Sequence, residues 1–135
     1  MKEIKIPVSP GELLDKISIL ELKASKVKNP DKLILILKEL KHLLDIHKLI
    51  LKNYRGNKIE LNKLRVKLLG VNKKLWRIED SIRKHENEKQ FDGAFIELSR
   101  SVYLTNDKRS AIKNKINSLF GSEMNEIKQY TKYKE

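Results

Sequence analysis

The chain has 135 residues, a formal net charge of +12, 39% hydrophobic residues, no Cys, and only 5 Gly with 3 Pro. That length suits one domain with its own core, and so little Gly and Pro leaves scant material for the tight turns of a β-sandwich, a barrel or a doubly wound sheet. Without Cys there is no disulfide scaffold, no thiolate zinc site and no thiol nucleophile.

The periodicities predict an all-α fold: an antiparallel helical bundle of four to five helices with a short N-terminal extended arm. Residues 1–121 form one domain, with 1–8 as the arm, and 122–135 form a polar C-terminal tail. In KEIKIPV, residues 2–8, charged or polar residues alternate with Ile4, Ile6 and Val8, as in a short strand or extended arm. No second strand candidate exists, so its expected complement is the same segment of another subunit. Ser9-Pro10-Gly11-Glu12 is a capping box, with Ser9 accepting the Glu12 N–H and Glu12 reaching back.

Leu13, Ile17, Leu20, Ala24 and Val27 then follow 4-3-4-3 spacing up to Asn29-Pro30, which starts a second helix over 30–53. Leu33, Leu37, Leu40, Leu44, His47 and Leu51 lie on one heptad line there, widened by Ile36, Leu43, Ile46 and Ile50. An arc that broad predicts at least two packing neighbours. Asn57 with Glu60 caps a third helix, whose Leu61, Leu64, Leu68, Val71, Leu75, Ile78 and Ile82 make the most regular seam in the chain.

After a polar break at 86–90, Phe95, Leu98 and Val102 turn inward on a further helix. Thr105-Asn106-Asp107 either caps a fifth helix carrying Ile112, Ile116 and Leu119 or lies within one helix over 92–119. Gly121 fits a C-terminal cap. The tail is read as frayed or as a docked short helix.

The positive charge is spread, +5 over residues 1–56, +5 over 57–90 and +2 over 91–135, and 24 of the 30 basic residues are Lys. Nucleic-acid binders usually concentrate Lys and Arg on one face, so this surface reads chiefly as a solvated coat and nucleic acid is not the favoured partner. The start of the chain has no apolar region of a secretory signal, and the longest apolar run is Leu33–Leu37; the expectation is a cytoplasmic protein without a membrane span.

Two polar lines stand out. Beside the seam of the third helix run Arg65, Leu69, Asn72, Trp76, Glu79 or Asp80, and Arg83. Trp76 with Arg83 offers a face and a charge to an anionic or planar ligand. On the 95–117 segment, Arg100, Tyr103, Asp107, Ser110 and Asn114 share a side, while Asn106, Arg109, Lys113 and Asn117 border the apolar stripe. Semi-buried polar groups of that kind must find partners. The candidate ligand-binding residues are therefore Asn72, Trp76, Glu79, Asp80, Arg83, Arg100, Tyr103, Asn106, Asp107, Arg109 and Lys113. Metal signals are weak: Glu12 with Asp15 and Glu79 with Asp80 are the nearest carboxylate pairs, and His42, His47 and His85 lack ligand spacing. No metal or cofactor is expected.

The segments VSPGELLDKISILELK at 8–23, LLGVNKKLWRIEDSIR at 68–83 and FIELSRSVYLTNDKRSAIKNKIN at 95–117 resemble a bacterial and phage family of small helical proteins of unknown function. The resemblance implies no catalytic residue and no substrate, though it points to settings rich in cell-surface polysaccharide genes. It marks Glu12, Asp15 and Lys16, then Asn72, Trp76, Glu79 and Asp80, then Tyr103, Asn106, Asp107 and Arg109. The residues together favour a non-enzymatic, homodimeric binding protein with a polar groove for an anionic small molecule or an acidic protein partner. Alternatives are an enzyme on a nucleotide or sugar phosphate using Glu79, Asp80 or Asp107, and non-specific nucleic-acid binding through the basic surface.

Overall fold

Each helix begins where a short polar side chain meets otherwise unpaired N–H groups. In the computed structural model, which describes residues 2–134, Ser9 accepts from Glu12, Asn29 from Asp31 and Lys32, Asn57 from Glu60, and Asp92 from Phe95. Pro10 and Pro30 occupy first-turn positions, where the missing N–H costs nothing. The resulting helices are α1 (Pro10–Lys26), α2 (Pro30–Lys52), α3 (Lys58–Glu88) and α4 (Gly93–Leu119). Left-handed residues end the last two, Lys89 (φ 54°) just after α3 and Gly121 (φ 65°) just after α4.

The fold is all-helical, and there is no strand among the described residues. Residues 2–9 are neither helix nor strand, and Ile4, Ile6 and Val8 are exposed. The second half of the Ser9 capping box is also corrected, because the Glu12 carboxylate turns to Lys113 Nζ at 2.7 Å. Between the two readings of 92–119 the structure gives one helix: no Gly or Pro interrupts 94–119, and Thr105 is a buried interior residue. Residues 123–134 form no helix and lie back along α4.

α1 is the centre of the packing and contacts α2, α3 and α4, while α3 and α4 pack on each other. Its Leu13, Leu14 and Ile17 join Tyr54, Leu61, Leu64, Leu68 and Ile116 in the core. Each such side chain contributes about 1.5–3 kcal/mol by leaving water. The predicted seam of α3 is buried at Leu61, Leu64, Leu68 and Ile78 and half-buried at Val71, Leu75 and Ile82. α2 packs chiefly on α1; of its predicted apolar arc Leu37 is exposed, and so are Ile34, Leu35 and Leu49, which lie outside that arc. Among the described residues no helix is long and apolar enough to cross a membrane.

Candidate functional site

Where α1, α3 and α4 meet, the core turns polar. Gly11, Asp15, Ser18 and Leu22 repeat at 4-3-4 spacing and form a second buried line on α1, beside its apolar stripe. Gly11 lets the start of α1 approach α4. Its N–H donates to Asn117 Oδ1 at 2.7 Å, and a Cβ there would press on the Lys113 carbonyl and sit 2.8 Å from Asn117 Oδ1.

Asp15, 1% exposed, is the hub of this junction. Arg109 donates to both of its carboxylate oxygens, through Nε to Oδ1 at 2.9 Å and through Nη2 to Oδ2. Asn72 Nδ2 donates to Asp15 Oδ1 at 3.0 Å and to Ser18 Oγ at 3.1 Å. The planar guanidinium meets the planar carboxylate in a two-point clasp, the strongest form of such a pair. A carboxylate this deep is tolerated only because its lone pairs are engaged.

Lys113 lies on the same side of α4 one turn further on. Its ammonium is ringed by three carboxylates, Glu12 Oε2 at 2.7 Å, Glu126 Oε2 at 2.8 Å and Asp15 Oδ2 at 3.7 Å. Burial pulls the Lys113 ammonium down, and its contacts with Glu12, Glu126 and Asp15 outweigh that and hold it above its ordinary range. The Arg109 guanidinium is likewise raised, chiefly by its hydrogen bonds to Asp15 and against the effect of burial.

Beyond Lys113, the tail lies on the polar strip of α4. Asn114 grips Glu126 by the main chain, donating from Nδ2 to its carbonyl and accepting its N–H at Oδ1, both at 3.1 Å. Lys128 reaches the Asn106 carbonyl at 3.4 Å and Asp107 Oδ1 at 3.5 Å. Tyr133 donates to Asp107 Oδ2 and meets Tyr103 edge-on, ring centroids 5.2 Å apart.

Of the residues expected from sequence, Asn72, Arg109 and Lys113 come together at the Asp15 junction, and Tyr103, Asn106 and Asp107 hold the tail. The others lie elsewhere. Trp76 is half-buried with Lys26 Nζ 5.9 Å from its ring centroid, so the cation over its face comes from α1. Arg83 is exposed and pairs with Glu79 at 3.6 Å within one turn of α3, and Asp80 is exposed. Arg100 is exposed and bound to Glu97 at 2.8 Å; Tyr103 and Glu97 raise its pKa. Among the described residues no three His, Asp or Glu gather as metal ligands would.

Sequence reasoning did not place Ser18, Asn114 or Glu126 in the candidate site, and it held Asp15 as a weak metal pair with Glu12 and as a residue marked by the resemblance, not as the partner of Arg109 and Asn72. The available signal was the polar 4-3 line Gly11-Asp15-Ser18 running beside an apolar stripe. Comparison of the chain with protein-family models, with curated proteins and with solved structures gives no match in any of the three.

Proposed function

We propose that this is a cytoplasmic, non-enzymatic, homodimeric binding protein that recognises an anionic group, on a small molecule or an acidic protein partner, at the Arg109–Lys113 edge of the α1–α3–α4 junction. The observation that carries this reading is the third carboxylate on Lys113. Asp15 and Glu12 already match the two cations in number, and the ammonium still takes in Glu126 from outside the helices. A carboxylate or phosphate oxygen of another molecule meets the same donor. Asp15, Asn72 and Arg109 come one each from the three segments that carry the family resemblance, so the junction is the part of the chain on which that resemblance converges. A homodimer is supported by the uncovered apolar side chains Ile34, Leu35, Leu37 and Leu49 on α2, which suit a helix partner.

Calorimetric titration of citrate, a sugar phosphate and a nucleoside diphosphate into the wild-type chain and Lys113→Met tests the reading. At least one anion should bind the wild type and bind Lys113→Met at least tenfold more weakly. Binding that is unchanged in Lys113→Met, or no binding of any of the three, overturns it.

A further inference from the structure

The contact between the tail and α4 has the form of a peptide in a recognition groove. Asn114 reads no side chain: it pairs with both the N–H and the carbonyl of residue 126, a two-point grip that any extended segment satisfies. Side-chain selection is separate from that grip. Lys113 takes the carboxylate of residue 126, Asp107 and the Asn106 carbonyl take the amine of residue 128, and Tyr103 with Asp107 takes the aromatic of residue 133. Backbone capture plus spaced side-chain seats is how extended peptides are bound generally.

The tail fits this groove imperfectly. It leaves a cleft of ≈ 1200 Å³ against α4, bordered by Tyr103, Asp107, Ser110, Asn114 and Tyr130 among others. No described tail residue belongs to the core cluster, and the segment is held by polar and aromatic contacts on the surface. Its charge also adds little. Over 122–135 it carries three Glu and three Lys and is neutral, on a chain whose net charge is +12. A segment with a carboxylate at the position of Glu126 and further carboxylates in place of the distal lysines is drawn to this basic chain more strongly than the neutral tail is.

We propose that the Lys113–Asn114–Asp107–Tyr103 face of α4 is a binding groove for an extended acidic peptide of a partner protein, and that the chain's own residues 123–134 occupy it as a tethered competitor. The inference rests on Lys113 as a carboxylate seat, as in the function proposed above, and adds Asn114 as the backbone reader. Tethering presents the tail at an effective concentration on the order of millimolar. A free peptide therefore binds the intact chain weakly and binds tightly once the tail's own anchors are removed.

The test uses the full chain and two fluorescein-labelled peptides, one with the sequence of residues 122–134 and one carrying Lys132→Glu and Lys134→Glu. Fluorescence anisotropy is read for the wild type, for a chain with Glu126→Ala and Tyr133→Ala in its own tail, and for that variant with Asn114→Ala or Asp107→Asn added. The tail variant should bind both peptides at least tenfold more tightly than the wild type, with the acidic peptide the tighter of the two and the difference shrinking with salt. Asn114→Ala should abolish the gain, and Asp107→Asn should reduce it in a chain whose far-UV circular dichroism is unchanged.

Equal affinity for wild type and tail variant, or binding indifferent to both Asn114→Ala and Asp107→Asn, overturns the proposal. So does tighter binding of the unmodified peptide than of the acidic one. A wild-type dimer in sedimentation that the tail variant loses assigns the groove to a second copy's tail and likewise overturns it. Adding Lys113→Met to the tail variant separates the two readings, because loss of acidic selectivity with residual Asn114-dependent binding removes the carboxylate seat and leaves the backbone groove.

Discussion

Arg109 on α4 clasps Asp15 on α1 across 94 positions of sequence, and this pair ties the first helix to the last beneath Asn72 of α3. Neither group is dispensable alone. Asp15→Ala strands the donors of Arg109 and leaves Asn72 only Ser18, and Arg109→Ala leaves a buried carboxylate with only Lys113 at 3.7 Å to balance its charge. Each should cost about 3–5 kcal/mol in denaturant unfolding. The double variant should cost clearly less than the two together, since it leaves neither charge uncompensated. Additive losses would mean that the pair is not coupled.

Gly11 gives a prediction of unusual sign. Gly to Ala in a helix ordinarily stabilises by up to about 1 kcal/mol. Here the added methyl meets a backbone carbonyl, which cannot swing aside, as well as Asn117 Oδ1. Gly11→Ala should destabilise by about 1–3 kcal/mol. Asn117→Ala in the same chain should recover only part of that loss, because the Lys113 carbonyl remains in place.

His47 makes stability depend on pH. It is buried, its Nε2 has no hydrogen-bond partner among the described residues, and burial followed by the charge of Arg65 lowers its pKa from 6.5. Lys41, Asp45 and Lys48 line the same groove. The folded chain therefore binds this proton less readily than the unfolded chain. Stability should fall as pH drops below about 6.5, by at most about 1.4 kcal/mol per pH unit, and level off once the lowered folded pKa is passed. His47→Gln should flatten urea-unfolding free energies between pH 7 and pH 5; a slope equal to wild type would assign the dependence to other groups.

The helices were legible because their signals are local. Ser9-Pro10, Asn29-Pro30 and Asn57 with Glu60 mark starts through groups at most three residues apart, and the α3 seam repeats without interruption. Asn72, Arg109 and Lys113 were legible as polar residues pressed beside apolar stripes. Their common partner was not, because nothing near Asp15 in sequence says that a guanidinium 94 positions away will close on it. Trp76 drew notice for its chemistry, yet it lies beneath Lys26 of α1. The tail escaped because hydropathy registers apolar burial, while its anchors are an amide pairing at Asn114, ion pairs at Lys113 and Asp107, and one ring contact.

The Glu126 amide reports the groove most directly, since its N–H donates to Asn114 Oδ1 only while the tail is seated. Native-state hydrogen exchange of the full chain should find this amide slower than that of the exposed neighbour Asn125, and saturating Lys132→Glu/Lys134→Glu peptide should raise it to the rate of an unstructured amide. A Glu126 amide that is unprotected in the free chain, or whose protection is untouched by saturating peptide, would contradict the account.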